Sequence, residues 1–154
     1  MRSTLKFESL NDMLLDTESL LASGYTRSGN WSLGQICNHL RLTMESNING
    51  YPLWMVALGY PLRPILRWYA LPKLMAGKSP KGLPTAPMFI PANGLDDATE
   101  IAQLKDCVAT FLQTNRPMHP HPGFGAMTNE AFAAFHAAHA AHHLCFLNPK
   151  SKAT

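Results

Sequence analysis

Apolar residues recur at helical spacing in four separate stretches of this chain. The first, about Glu8 to Ser23, carries Leu10, Met13, Leu14, Leu20 and Leu21, and Gly24 follows as a stop. The second opens on Ser32-Leu33-Gly34-Gln35, a capping-box pattern in which Ser32 accepts from an orphan amide and Gln35 reaches back. Its stripe is Leu33, Ile36, Cys37, Leu40, Met44 and Ile48, ending near Asn49-Gly50. A third begins at Asp96 or Asp97, with Glu100 completing a box, and runs through Ile101, Leu104, Val108, Phe111 and Leu112 to Asn115. The fourth begins at Thr128, with Glu130 favourable in its first turn. It stops before Pro149, which pushes Asn148 out of helical geometry. No alternating strand pattern of any length is present, so the chain is expected to be all-α, a four-helix bundle.

Helices two and three are separated by an irregular excursion, Tyr51 to Leu95, that holds eight of the twelve prolines. Short helices around Leu53–Leu58 and Leu62–Ala76 are expected inside it. A connection this long in a small domain is functional or an interaction element more often than a spacer. Its apolar part, Tyr51 to Ala76, is broken by prolines and carries Arg63, Arg67 and Lys73, so no membrane span is expected. Arg63, Arg67, Lys73, Lys78 and Lys81 form the only basic cluster, interleaved with Trp54, Tyr60, Trp68 and Tyr69. Aromatic and Arg enrichment of this kind favours a lid or a dimer surface over a nucleic-acid or membrane contact.

Length and composition then narrow the class. The 154 residues suit one domain, with 149–154 as a tail, and at 46% hydrophobic and 15% charged they can bury a core. A formal charge of +3 is too weak to argue for nucleic acid. No secretory leader pattern opens the chain, and Cys37, Cys107 and Cys145 are odd in number with no Cys-x-x-Cys. A cytoplasmic location is therefore expected.

Histidine is the residue type that changes the picture, because four of the seven fall between His136 and His143. At about 100° per residue, Phe132, His136, His139, His143 and Leu147 share one arc of the fourth helix, with His142 at its edge. The i, i+4 pair His139 and His143 stacks two imidazoles close enough to share a metal ion. A third ligand from another helix would leave a coordination position open. His39 is the other histidine inside a predicted helix, on the flank of its main stripe, and spacing alone permits it without selecting it. The competing reading is a polar helix face of His and Ala with no ligand at all. His121, in the rigid run Pro117-Met118-His119-Pro120-His121-Pro122, is expected to hydrogen-bond loop backbone, with a proton carrier near neutral pH at the mouth of the site as the alternative. Trp31 is expected to pack at the start of helix two rather than read a ligand, and Cys37 and Cys145 to be buried thiols. Cys145 lies about 200° around the helix from His143 and is a poor ligand.

Trp31-Ser32-Leu33-Gly34-Gln35-Ile36-Cys37-Asn38-His39-Leu40 and His139-Ala140-Ala141-His142-His143 together resemble the DinB/YfiT-like superfamily, and more closely its domain-of-unknown-function branch numbered 1569. The likeness extends through Gly77-Lys78-Ser79-Pro80-Lys81-Gly82, the run to Phe89-Ile90-Pro91, and His121-Pro122-Gly123-Phe124-Gly125, covering about residues 25–147. The resemblance implies a four-helix bundle with a long Pro-rich crossover, in which His39, His139 and His143 hold nickel or zinc. It also implies a thiol S-transferase or hydrolase acting on a small molecule, and a homodimer. Relatives often follow the double histidine with Arg and Gln, where this chain has Leu144, Cys145 and Phe146. The alternative is a non-catalytic dimeric binding or structural bundle with a vestigial histidine cluster.

Overall fold

The computed structural model describes residues 1–78 and 85–150. Lys81, the Ser79–Gly82 part of the Gly77–Gly82 motif, and the last four residues of the expected tail lie outside the described residues.

Four long helices form where local caps dictate them. Ser9 and Asp12 close a capping box that starts α1 (Leu10–Ser23), and Gly24 ends it at φ 68°. Ser32 and Gln35 close the expected box at the start of α2 (Leu33–Asn49), and Gly50 at φ 104° ends it. In the later helix α6 (Asp97–Gln113) the cap is Asp96, which accepts from Thr99 N at 2.9 Å. The expected Glu100 box is not made: Glu100 is buried, accepts from Asn38 Nδ2 at 3.1 Å and lies 3.7 Å from Arg41. A partner on α2 outcompetes the local cap. Thr128 caps α7 (Asn129–Leu144), which turns out at Cys145 rather than running on to Asn148.

The excursion is more helical than its prolines suggest. α3 (Leu53–Gly59), a 3-10 turn (Tyr60–Leu62), α4 (Arg63–Ile65), a π turn (Leu66–Ala70) and α5 (Leu71–Met75) follow one another without a break. Pro61, Pro64 and Pro72 each sit in the first turn of a new segment, where a missing N–H costs least. The helical register resets at each proline instead of ending.

One element is unexpected. Tyr25–Arg27 (β1) pairs antiparallel with Leu147–Pro149 (β2), Tyr25 opposite Pro149 and Arg27 opposite Leu147. Three-residue strands whose partners lie more than a hundred positions apart leave no periodic trace. Arg2 locks the same corner, pairing bidentately with Asp16 at 2.6 and 2.9 Å while donating to the carbonyls of Leu144 and Leu147.

All four long helices feed one core that includes Met13, Leu20, Leu33, Leu40, Leu104, Phe111, Phe132 and Leu144. α2 makes its most extensive contact with α6, α1 rests on α6 and α7, and α5 lies against α7. The start of α2, which aims His39, is tied to this frame by a three-way junction. Asp97 Oδ1 accepts from Gly34 N at 2.6 Å and its Oδ2 from Tyr25 Oη at 2.8 Å, while that hydroxyl accepts from Leu33 N at 3.0 Å. Gly34 admits the carboxylate because a Cβ there would meet Asp97 Oδ1 at 3.0 Å and the Leu95 carbonyl at 3.1 Å. No helix among the described residues is long and apolar enough to cross a membrane.

Candidate metal centre

α2 and α7 bring His39, His139 and His143 together, three potential ligand atoms all within 4.8 Å of one another. The Nε2 atoms of His39 and His139 are 3.3 Å apart, and those of His139 and His143 are 3.0 Å apart. His39 Nδ1–H donates to the Phe89 carbonyl at 2.8 Å, so in the neutral ring Nε2 carries the lone pair. Phe89 belongs to the 3-10 turn Pro87–Phe89 at the end of the excursion, which gives that segment a role in aiming the ring.

These contacts cannot all be satisfied by protons. If His139 Nε2 carries hydrogen, it can point fully at one neighbour only. If it carries a lone pair, it faces the lone pair of His39. At most one of the two contacts is therefore a good hydrogen bond. A cation where the three lone pairs meet satisfies all of them, and a tetrahedral ion with bonds of about 2.0–2.1 Å sets its nitrogens about 3.3–3.4 Å apart. The His39–His139 and His139–His143 spacings of 3.3 and 3.0 Å lie close to that value, and all three ligand atoms fall within 4.8 Å of one another.

The electrostatics point the same way. Burial holds the His39 imidazole below its ordinary range, only partly offset by the Phe89 carbonyl. Burial, then the neighbouring histidines, hold His139 and His143 well below theirs. All three rings are neutral near pH 7, the state in which imidazole binds a metal.

Aromatic rings pack the cluster. Trp31 stacks on His143 (centroids 5.4 Å, 20° between planes) and tilts against His39 at 5.0 Å, while Phe135 stacks on His139 at 5.9 Å. The triad lies in the wall of a cavity of about 730 Å³ shared with Tyr51, Leu66, Leu74, His121 and Phe124. That volume suits a drug-sized organic molecule rather than a few waters. Burial raises the Tyr51 phenol above its usual range, so it stays un-ionised.

The expectations fare differently. Trp31 packs against the core as expected, but it also lines the cavity, where the expectation gave it no ligand role. His136 shares the helix face of the other two but not their site. It is 1% exposed, and its Nε2–H donates to Asn47 Oδ1 at 2.8 Å. His142 lines the cavity, its ring 5.1 Å from that of His143. Cys37 is buried, whereas Cys145 is half-buried, its Sγ 3.1 Å from the His142 carbonyl, and the ligand cluster does not include it. His121 hydrogen-bonds loop backbone as expected and also lines the cavity, but burial and then Arg63 push its imidazole down to about 4, so it is not the proton carrier near neutral pH of the alternative. Sequence reasoning missed Phe135 and Tyr51, which carry no signal apart from their hydrophobicity, and gave no role to Phe89, which stands in the Phe89-Ile90-Pro91 run but acts through its backbone carbonyl.

The family described as Protein of unknown function (DUF1569) matches residues 1–150, and the chain belongs to it. No curated protein and no solved structure matches the chain.

Proposed function

We propose that the chain is a single-domain, DinB/YfiT-like four-helix bundle acting as a divalent-metal-dependent enzyme of the thiol S-transferase or hydrolase type. The observation that carries this reading is the convergence of three neutral imidazole nitrogens whose two close contacts no set of neutral tautomers satisfies. His39, His139 and His143 would hold nickel or zinc. When bound, such an ion supplies Lewis acidity toward a water or a small thiol. The chain does the rest. Phe89 fixes the tautomer of His39, Trp31 and Phe135 pack the ligand rings, and the apolar wall with Leu66 and Leu74 receives the substrate body. No carboxylate lines the cavity among the described residues, so proton transfer falls to histidine, with His142 beside His143 in position for it.

The absence of a carboxylate among those lining residues also favours a second reading, a metal-holding binding bundle without turnover. Metal analysis of untagged protein tests what the two readings share. One equivalent of nickel or zinc is expected in the wild type and none after His139→Ala or His143→Ala. Metal-free wild-type protein after refolding in excess of either ion would refute both. Turnover of thiol and ester panels by the loaded protein separates them.

We assign the outer face of the excursion to a homodimer contact, because Leu53 (86% exposed) and Trp68 (83%) stand out beside exposed Leu58, Ile65 and Tyr69. Light scattering should give a dimer mass that falls to the monomer value in Trp68→Asp. A monomeric wild type at high micromolar concentration would exclude that contact. Cys37 and Cys107 are free thiols, in keeping with a reducing compartment.

A further inference from the structure

His121 is a cavity residue that the metal reading leaves unused. It sits in a tight turn where its N–H donates to the Gly125 carbonyl at 3.0 Å and its own carbonyl accepts from Gly125 N at 2.8 Å. Gly125 permits the turn at φ 77°. The side chain folds back over this turn, and Nδ1 accepts from both Gly123 N (3.1 Å) and Phe124 N (3.2 Å). A neutral imidazole has one N–H and one lone pair. With Nδ1 committed as acceptor to two backbone amides, the proton belongs on Nε2.

The ring cannot easily turn over. It stacks on Phe124 (4.4 Å, 17°) and takes edge contacts from Phe135 at 5.6 Å and Tyr51 at 5.6 Å. A flip would forfeit both amide bonds. The side-chain hydrogen bonds of His121 among the described residues are both made by Nδ1, and the ring lines the cavity. Burial, with Arg63 nearby, pushes the imidazole down to about 4, so at neutral pH it is an uncharged donor rather than a proton carrier. Arg63 is itself fixed, its Nε donating to the Pro122 carbonyl at 2.9 Å, and its charge disfavours a cationic ligand group here.

We propose that the Nε2–H of His121 is the specificity-determining donor of the cavity, binding a carbonyl or carboxylate oxygen at one end of an elongated apolar ligand. Phe135 touches both His121 and His139, so a ligand body laid along it reaches from this donor to the triad. Phe124, Leu66 and Leu74 supply further apolar wall. The ligand class is an aryl or alkyl acid, ester, thioester or amide, and an amine of the same shape is rejected. The inference rests on the cavity being the substrate site, as proposed above, but not on any ion being held there.

The test uses the full chain in excess chelator, which removes metal as a competing carboxylate partner. The probes are 4-phenylbutanoate, 4-phenylbutanamide, 4-phenylbutan-1-amine and butylbenzene. The acid, the amide or both should bind about tenfold more tightly than butylbenzene, the worth of one good hydrogen bond, and the amine no more tightly. An advantage for the amide alone identifies a carbonyl as the recognised group; a larger advantage for the acid identifies a carboxylate. His121→Asn keeps an acceptor near the two amides but withdraws the donor, so it should erase the advantage and leave butylbenzene binding unchanged. His121→Gln, which returns an N–H near the Nε2 position, should restore part of it. Ring nitrogen shifts of the wild type should report a protonated Nε2 without added ligand, whatever the stability of the variants. Equal binding of all four probes, an advantage that persists in His121→Asn, or a proton on Nδ1 would each overturn the proposal. Metal content is measured separately, so failure of the metal reading leaves these outcomes readable.

Discussion

Replacing His139 by leucine should stabilise the metal-free protein and abolish its response to metal. The wild-type ring buries an Nδ1 with no partner among the described residues, and an orphaned group of this kind costs about 1–3 kcal/mol. The same ring faces two Nε2 atoms at 3.0 and 3.3 Å, at most one of them as a good hydrogen bond. Leucine removes both defects. It also loses the stack on Phe135, worth about 0.5–1.5 kcal/mol beyond burial. The balance favours the variant by about 1 kcal/mol, or about 2–4 °C in melting temperature for a chain of this length. With nickel or zinc at a hundredfold its dissociation constant, the wild type gains about 2.7 kcal/mol and the variant nothing. The order of the two melting curves should therefore reverse between chelator and metal. Circular dichroism melts of untagged protein in both buffers read this directly. A variant that melts below the wild type in chelator would refute the claim that the three imidazoles are mutually frustrated without an ion.

Three further outcomes follow from features around the site. Asp97→Ala strips the acceptor from Gly34 N–H and Tyr25 O–H, so it should cost about 3 kcal/mol in urea unfolding and weaken metal binding by loosening the start of α2. Burial pushes His136 down from its ordinary 6.5 to about 3, so its unfolded form takes up a proton that its folded form refuses. The stability this confers is complete above pH 6.5 and is lost as the pH falls toward 3, about 5 kcal/mol in all. His136→Gln should flatten the slope of stability against pH between 6 and 4 by up to about 1.4 kcal/mol per unit, and an unchanged slope would rule the assignment out. Gly59→Ala places a Cβ 2.7 Å from the carbonyl carbon and oxygen of Pro122, so it should cost about 1–3 kcal/mol and expose the excursion to limited proteolysis.

Much of this architecture is legible in sequence because helix signals are local. The box at Ser32–Gln35 and the stops at Gly24 and Gly50 need only neighbours within four residues, and they appear where expected. The Asp96 start is similar, but Glu100 shows the limit: the charged pair it finds across on α2 is invisible to a local rule. The histidines divide along the same line. Helical spacing places His139 and His143 on one face, yet it places His136 there too, and only Asn47 beneath that ring removes it from the site. His39 could be admitted but not chosen, because the choice depends on how α2 lies against α7. The Phe89 carbonyl that orients it arrives through a Pro-rich segment with no periodicity to read.

The β1–β2 pairing has a kinetic meaning. Helical proteins usually fold fast because their contacts are close in sequence. Here Tyr25 meets Pro149, Arg2 meets Leu144 and Leu147, and His39 meets His139 across a hundred residues. Each of these closures must wait until nearly the whole chain has collapsed, so entropy delays them while giving no early reward. The triad is thus completed by a long-range closure, and refolding should show helix signal returning ahead of the stacking of Trp31 on His143.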